Sequence, residues 1–428
     1  SRRTRNSGIE ESKIDGFRVV NGLLTIALLV LGAIVLWTMF SHNFLDFRGV
    51  NYIIAISTLL VLLLGLYSVV KRKVKVLTTI LLVLVFTYSQ FRTAINLFDN
   101  LNSTAAVSEY TMSVVVPKDS DINSINDLSG ADVAAPVSSD GDNINKLMKD
   151  IRAKNNNKSL DLVEEKSYIS SYESLQKGTS KAMVLNSAHE SFVTSQYPDF
   201  SEKTKKIYEL KITKQVDSKG NEKVGDTFNV YISGIDTHGP ISSVSRSDVN
   251  IIMTVNKKTG KILLTTTPRD SYVKIADGGN NQYDKLTHAG IYGVDASIHT
   301  LENLYDIKID YYARLNFTSF TKIIDIIGGV DVYNDQSFVS HIGNYKFEPG
   351  MLHLDSAHAL AFVRERYSLT DGDNDRGKNQ EKVITAIIKK LSTKEALSNY
   401  NSIIKELTES IQTNMPLETA MGLANEQL

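Results

Sequence analysis

FNVYISGIDTHGPISSVSRSDVNIIMTVNKKTGKILLTTTPRD, residues 228–270, decides the fold, because three apolar runs alternate here with polar breaks. FNVYISGID reads as a strand ending at Asp236, and the loop THGPISSVSRS carries Arg246. Asp248 opens a second strand, VNIIMTVN. A KKTG turn leads into a third, KILLTTT, which stops at Pro268 just before Arg269 and Asp270. If the three strands run up, down and up, the end of the first, the start of the second and the end of the third share one edge of a sheet. Asp236, Arg246, Asp248 and Arg269 then meet there. Two carboxylates beside arginines can neutralise them. Equally, they can hold a divalent metal that bridges to phosphate, since Mg²⁺ takes one or two protein carboxylates and completes its octahedron with water and phosphate oxygens.

A second charged stretch, LDSAHALAFVRERYSLTDGDNDRGKNQ (Leu354 to Gln380), brings three more arginines. Arg364 and Arg366 flank Glu365, and in an extended segment residues two apart project to one face. Gly372-Asp373-Asn374-Asp375 reads as a turn and helix N-cap, with Arg376 and Gln380 four apart on one face of the helix that follows. A charge run is ordinarily a solvated surface, here with Glu365, Asp371, Asp373 and Asp375 as internal partners. However, the apolar AHALAFV runs straight into the first arginine, so the charges rise from a buried element, where unpaired cations are costly. An anionic ligand resolves that cost, and phosphate matches arginine forks best.

The rest of this half reads as a mixed-sheet α/β domain of the α+β type. Lys285 to Ala289 introduce a helix through Gly293 to Tyr305, and DIKIDYYARLNF is a further strand. FTSFTKIIDII places Phe317, Phe320, Ile323, Ile324 and Ile327 on one helix face, capped by Gly328-Gly329; this is a core face or, alternatively, a groove for a lipid tail. His288, His341, His353 and His358 lack metal-ligand spacing. Upstream, residues 105–213 alternate strand, turn and helix as a small α/β accessory domain, preceded by a polar tether from Leu101 to Glu109 and followed by a polar linker from Lys214 to Asp226. Asp140, Asp142 and Asn143 read as a turn in preference to a cation site.

The chain has 428 residues, a net charge of -1 and no cysteine, which excludes thiol catalysis and disulfides and gives no electrostatic footprint for nucleic acid. The first hundred residues are different material. Val19 to Phe40 and Val50 to Val70 are each long enough to cross about 30 Å of hydrocarbon, and Val74 to Phe91 is a shorter third span. Arg2, Arg3, Arg5, Lys13 and Arg18 precede the first span, and Lys71, Arg72, Lys73 and Lys75 fill the second loop, whereas the first loop holds only Asp46 and Arg48. The positive-inside rule then sets residues 1–18 in the cytoplasm, three spans over residues 19–92, and the remainder outside the plasma membrane. Trp37 marks the outer end of the first span. A first residue other than Met and a stop at ANEQL read as a shortened chain.

Taken together, SGID (233–236), RSDVNIIMTVNKKTGKI (246–262), PRD (268–270), DKLTHA (284–289), DYYARLNF (310–317), GGVDV (328–332), HALAFVRER (358–366) and GDNDRGKNQ (372–380) resemble the LytR-CpsA-Psr family, in the family's order over most of residues 226–428. The three spans and the accessory domain resemble its capsule-associated subgroup. The resemblance implies a membrane-anchored phosphotransferase of a Gram-positive-like envelope. It would attach capsular polysaccharide or a similar glycopolymer from an undecaprenyl-pyrophosphate carrier to peptidoglycan, with Mg²⁺, a side pyrophosphatase activity and capsule-export proteins as partners. Matched by motif, Asp236 and Asp248 resemble metal ligands. Arg246, Arg269, Arg364, Arg366, Arg376 and Gln380 resemble pyrophosphate binders, with Asp373 in support. Many relatives read RxxRQ in the last motif; here Asn379 replaces the second arginine, with Lys378 the nearest cation. Asp236, Asp248, Arg269 and Asp373 form the catalytic set, and one of the three aspartates would take the acceptor's proton. Two other classes are a non-catalytic polyprenyl-phosphate-binding regulator of capsule synthesis and a membrane-attached transcription factor, the latter disfavoured by the lack of a helix-turn-helix.

Overall fold

The computed structural model of the protein describes residues 16–46, 48–71, 73–220, 224–236, 240–391 and 399–427. Arg2, Arg3, Arg5, Lys13 and Arg72, on which the expected orientation leans, lie outside the described residues, as do 237–239 of the loop that carries Arg246. The chain divides into two compact units, one running up to Asp99 and taking in Pro416–Leu428, the other Asn100–Met415.

In the first unit α1 (Gly16–Ser41), α2 (Val50–Val70) and the start of α3 (Val74–Ala105) are apolar on nearly every side. At 1.5 Å per residue even the 21-residue α2 reaches about 32 Å, enough to cross a bilayer core. Leu23, Leu63 and Phe86 point outward uncovered, as side chains in lipid would. Leu28, Val35, Leu62, Leu77, Leu84 and Phe91 pack inside the unit together with Leu417 from the helix Leu417–Gln427. Gly32 and Gly65 let α1 and α2 approach, each lying under a leucine of the other helix.

The tether expected over Leu101 to Glu109 is absent: α3 continues to Ala105, and β1 (Val107–Pro117) begins two residues later. The polar residues are there to bond. Asn102 donates to the carbonyls of Thr413 (2.7 Å) and Met415 (2.9 Å), and Gln412 donates to that of Thr104. The small domain follows with β2 (Asp132–Ala135), α4 (Val137–Lys154), β3 (Asp161–Glu164), α5 (Tyr168–Lys177), β4 (Ala182–Asn186), α6 (Ser187–Gln196), α7 (Phe200–Lys203) and β5 (Thr204–Gln215). Its sheet runs β3-β2-β4-β1-β5, with β3, β2 and β4 parallel and β1 antiparallel to both β4 and β5. Helices cover its inner strands, so Val114, Val115 and Val116 are all buried, as a continuous apolar run requires. Asp140 bends α4 and accepts hydrogen bonds from Asn143, Tyr168 and Asn186, which makes it an internal hub.

The larger domain is built on the sheet β16-β11-β6-β7-β8: β6 (Thr227–Ile235), β7 (Val249–Asn256), β8 (Lys261–Thr266), β11 (Tyr311–Asn316) and β16 (Ile411–Thr413). β6, β7 and β8 run up, down and up as the sequence implies, and β11 lies parallel to β6. Period-two alternation sends Val249 and Ile251 to one core and Tyr231, Ile252 and Tyr312 to the other. The second core is closed by β9 (Tyr272–Ile275), β10 (Gln282–Lys285), the 3-10 segment Leu286–Tyr292 and α8 (Val294–Tyr305). The first is covered by α9 (Phe317–Phe320), α10 (Lys322–Ile326), α11 (Ser356–Arg364), α12 (Gly372–Leu391) and α13 (Tyr400–Ser410), with the strand pairs β12 (Val330–Asn334)/β15 (Gly350–Leu354) and β13 (Phe338–Val339)/β14 (Lys346–Phe347) beside them. Phe317, Phe320, Ile323, Ile324 and Ile327 are all buried in this core, so they form no open groove for a lipid tail.

Gly234 sits where β6 is crowded by Phe317 and Val249: a Cβ there would come within 2.6 Å of Val249 Cβ. Gly234→Ala is therefore expected to destabilise the protein by roughly 1–3 kcal/mol, read as a lower Tm of the full chain in detergent.

Candidate active site

The three strands deliver their charged ends to one edge. Asp248 N donates to the Gly234 carbonyl at 2.8 Å, so Asp236 and Asp248 leave β6 and β7 at the same end of the sheet. Arg269, just past β8, pairs with Asp248, whose Oδ1 also takes the Thr287 hydroxyl. Arg269 N donates to Asp373 Oδ2 at 3.2 Å, which ties the start of α12 to the end of β8; Asp373 in turn pairs with Arg376. Arg364 closes α11 and pairs with Asp236, and Thr318 joins them by donating to Asp236 Oδ1 (2.6 Å) and accepting from Arg364 (3.0 Å). Arg366 lies 3.4 Å from Asp270, which also holds Lys285 at 3.0 Å. Among the described residues no carboxylate lies within ion-pair distance of Arg246, whose guanidinium stands 5.7 Å from the ring centroid of Phe192.

Local sequence explains these placements, with corrections. Arg364 is helical where an extended segment was expected: Asp355 caps α11 by accepting from His358 N, and the helix runs to its last arginine. The chain becomes extended only at Glu365, whose buried carboxylate accepts from the backbone N–H groups of His341, Arg366 and Ser368. Glu365 therefore braces the turn and neutralises neither neighbouring arginine. Residues 372–375, expected as a turn and cap, already form the first turn of α12. Gln380 donates to the Val363 carbonyl at 3.2 Å, so its amide nitrogen fastens α12 to α11. Lys378 does not stand in for the missing arginine. It is about 200° around the helix from Arg376, pairs with Asp375 at 3.0 Å, and lines a separate groove with Leu264 and Tyr333.

The electrostatics mark a site for negative charge. Six positive charges (Arg246, Arg269, Arg364, Arg366, Arg376 and Lys285) face four negative ones (Asp236, Asp248, Asp270 and Asp373), an excess of two. Burial lowers the Arg246 pKa; Asp248 opposes that, and Arg269 and Arg366 add to it. Burial likewise lowers Arg376, against Asp373 and with Arg269. Arginine stays protonated regardless, so these shifts register charge held where it is unfavourable, which an incoming anion relieves. The Nε–H groups of Arg269 and Arg364 are buried and make no hydrogen bond among the described residues.

Two carboxylates with threonine hydroxyls on them are hard oxygen donors of the kind Mg²⁺ takes, and a cation there would share each carboxylate with a guanidinium. Among the described residues no three His, Asp or Glu side chains are grouped to hold a metal, so phosphate oxygens would have to complete such a site.

Arg314 escaped the sequence reading. It is buried in β11 and donates to the Ile241 carbonyl (3.0 Å) and Ser245 Oγ (3.3 Å), supporting the loop that ends in Arg246. Burial pushes its pKa down to about 10, with Tyr312 and Tyr231 opposing. The available signal was an arginine inside an otherwise apolar strand.

The model of the LytR_cpsA_psr family matches residues 191–427. A DNA polymerase processivity factor model matches residues 71–185, a span that begins in the loop before α3 and ends inside β4 and so delimits no folded unit. The polyisoprenyl-teichoic acid–peptidoglycan teichoic acid transferase TagU of Bacillus cereus is 35% identical over 204 residues, 46% of this chain and 65% of that protein, so the chain spans just under two thirds of its length. TagU of Enterococcus faecalis is 31% identical over 231 residues, 53% of this chain and 74% of that protein. The crystal structure of B. subtilis TagV is 28% identical, covers 47% of this chain and 78% of that one, and has a TM-score of 0.40.

Burial would raise the Glu365 carboxyl, but the backbone donors of His341 and Ser368 hold it below its ordinary 4.5. Since the folded value lies below the unfolded one, this charge stabilises fully above about pH 4.5, and the contribution is lost as pH falls through the folded value. Glu365→Gln should therefore cost about 1–2 kcal/mol near neutral pH. The gap from the parent should close on acidification, as Tm measured against pH will report.

Proposed function

The chain belongs to the LytR-CpsA-Psr family, and from that membership we propose that it is a membrane-anchored transferase moving a glycopolymer phosphate from a polyprenyl-diphosphate carrier to peptidoglycan. We further propose that the carrier is undecaprenyl pyrophosphate, the polymer a capsular polysaccharide, and the side carrying residues 100–415 the outer one. The observation that supports the reading best is the convergence of five arginines, from four separate segments, which with Lys285 carry two positive charges beyond what the four local aspartates balance.

In this reading the acceptor hydroxyl attacks the phosphorus nearer the glycan. Its bond to the bridging oxygen breaks, and the carrier leaves as the monophosphate. Arg246, Arg269 and Arg376 hold the oxygens that gain charge, while Arg364 and Arg366 orient the diphosphate from the end of α11. The hydroxyl proton passes to Asp236, Asp248 or Asp373, the three acids held against these arginines. Asp236 and Asp248 would hold Mg²⁺, which when bound supplies a Lewis acid for the diphosphate oxygens. Little covalent work remains for the protein beyond alignment. Water in place of the acceptor gives the side pyrophosphatase reaction.

Two measurements test this. Incubating the full chain with a polyprenyl-diphosphate glycan, peptidoglycan and Mg²⁺ should yield covalently attached glycan, and Arg269→Ala or Asp236→Ala should each lower the rate roughly 10²-fold or more. Tight binding of the lipid without any product would favour the regulator reading instead. Because the sequence lacks cysteine, Lys214→Cys in intact cells should react with a membrane-impermeant maleimide, while Lys71→Cys should not; the reverse would invert the topology.

A further inference from the structure

We propose that the small α/β domain is itself part of the anion site, with Phe192 as the residue that positions Arg246. The inference rests on the reading of Arg246 as a diphosphate ligand and deepens it.

Arg246 is the arginine of the cluster without a carboxylate partner among the described residues, so something else must orient it. That group comes from the other domain. α6 is anchored in the small domain by buried Val193 and Ala188 and by the Asn186 side chain, which caps the helix by accepting from Ala188 N. One turn further along, Phe192 leaves the helix toward the larger domain. Its ring lies under the Arg246 guanidinium at 5.7 Å and meets His288 edge-on at 4.8 Å and 79°. His288 is fixed in turn by Asp284 at 2.8 Å. The ring is thus held from the larger domain on one side and offers its electron-rich face to a half-buried cation on another.

The same loop is gripped a second time, at its backbone. Glu109 of β1 donates its N–H to the Ser242 carbonyl (2.9 Å), accepts from Val244 N (2.8 Å), and takes the Ser242 hydroxyl on Oε2 (2.8 Å), while Lys211 of β5 neutralises its other oxygen (2.8 Å). Residues 242–244 are in effect a short extra strand on the small domain's sheet. Arg314 supports the loop from beneath, and Gly290 lets the 3-10 segment close against it, since a Cβ there would sit 2.8 Å from Ser247 N. Backbone pairing sets where the loop runs. Phe192 sets where its terminal guanidinium points, without taking away the charge that a diphosphate needs.

The test uses the full chain in detergent, inorganic pyrophosphate as the probe, calorimetry for affinity, and Tm as the check on folding. Phe192→Leu keeps bulk and removes the ring, and should weaken pyrophosphate binding roughly 3- to 10-fold with Tm unchanged. Phe192→Tyr should restore most of the affinity. In an Arg246→Ala background Phe192→Leu should have no further effect, because the ring acts only through that guanidinium. Should Phe192→Leu lower Tm, Phe192→Met takes its place as the ringless variant. Parent-like pyrophosphate binding by Arg246→Ala would overturn the underlying reading of the site. Loss in Arg246→Ala with parent-like binding in the ringless variant, or additive losses in the double variant, would overturn the positioning role alone.

Discussion

A guanidinium taken out of water must face something negative or strongly dipolar, and at this sheet edge five of them have to be accommodated at once. The chain answers with two pairs that cross its elements, Asp236 just past β6 with Arg364 of α11 and Asp248 before β7 with Arg269 after β8, and with a third, Asp373 with Arg376, inside α12. Because Asp236–Arg364 joins segments far apart in sequence and Asp373 also accepts from Arg269 N, these charges help to set how α11 and α12 lie on the sheet. With Lys285 and Asp270 counted as well, six positive charges meet four negative ones, and the balance is left short by two. That shortfall is what the proposed diphosphate would meet.

The neighbouring polar groups serve the same end. Glu365 stands beside Arg364 and Arg366 in sequence and pairs with neither. Instead its carboxylate accepts the backbone N–H groups of His341, Arg366 and Ser368, bracing the turn after α11 from which Arg366 reaches Asp270. Gln380 works alike, joining α12 to the last turn of α11 through the Val363 carbonyl. Arg314, buried beneath the loop of Arg246, contributes to the local positive potential while its donors are met by Ile241 and Ser245.

The two α/β domains do not divide cleanly into a chemical part and an appendage. Each has its own hydrophobic core and could be described alone. Yet β1 carries the pairing partner of the loop that ends at Arg246, and α6 carries the ring against its guanidinium.

By itself the sequence determined the three apolar spans, the up-down-up strands of residues 228–266, and the meeting of Asp236, Asp248 and Arg269. All of these follow from local rules, namely the length of an apolar run, the period of a strand and the place of a turn. It also disclosed the family, since eight short motifs in order are far more specific than any one. Tertiary structure alone decided the rest. Arg364 proved helical because a cap nine residues earlier carries the helix through it, and Leu101 to Glu109 proved ordered because Asn102 finds carbonyls more than three hundred residues away. Phe192 gave no signal at all, for a phenylalanine on a short helix looks the same whether it packs in its own core or lies beneath a cation from another domain. Pairings across such distances depend on how separately folded layers meet, and no local period in a sequence encodes that.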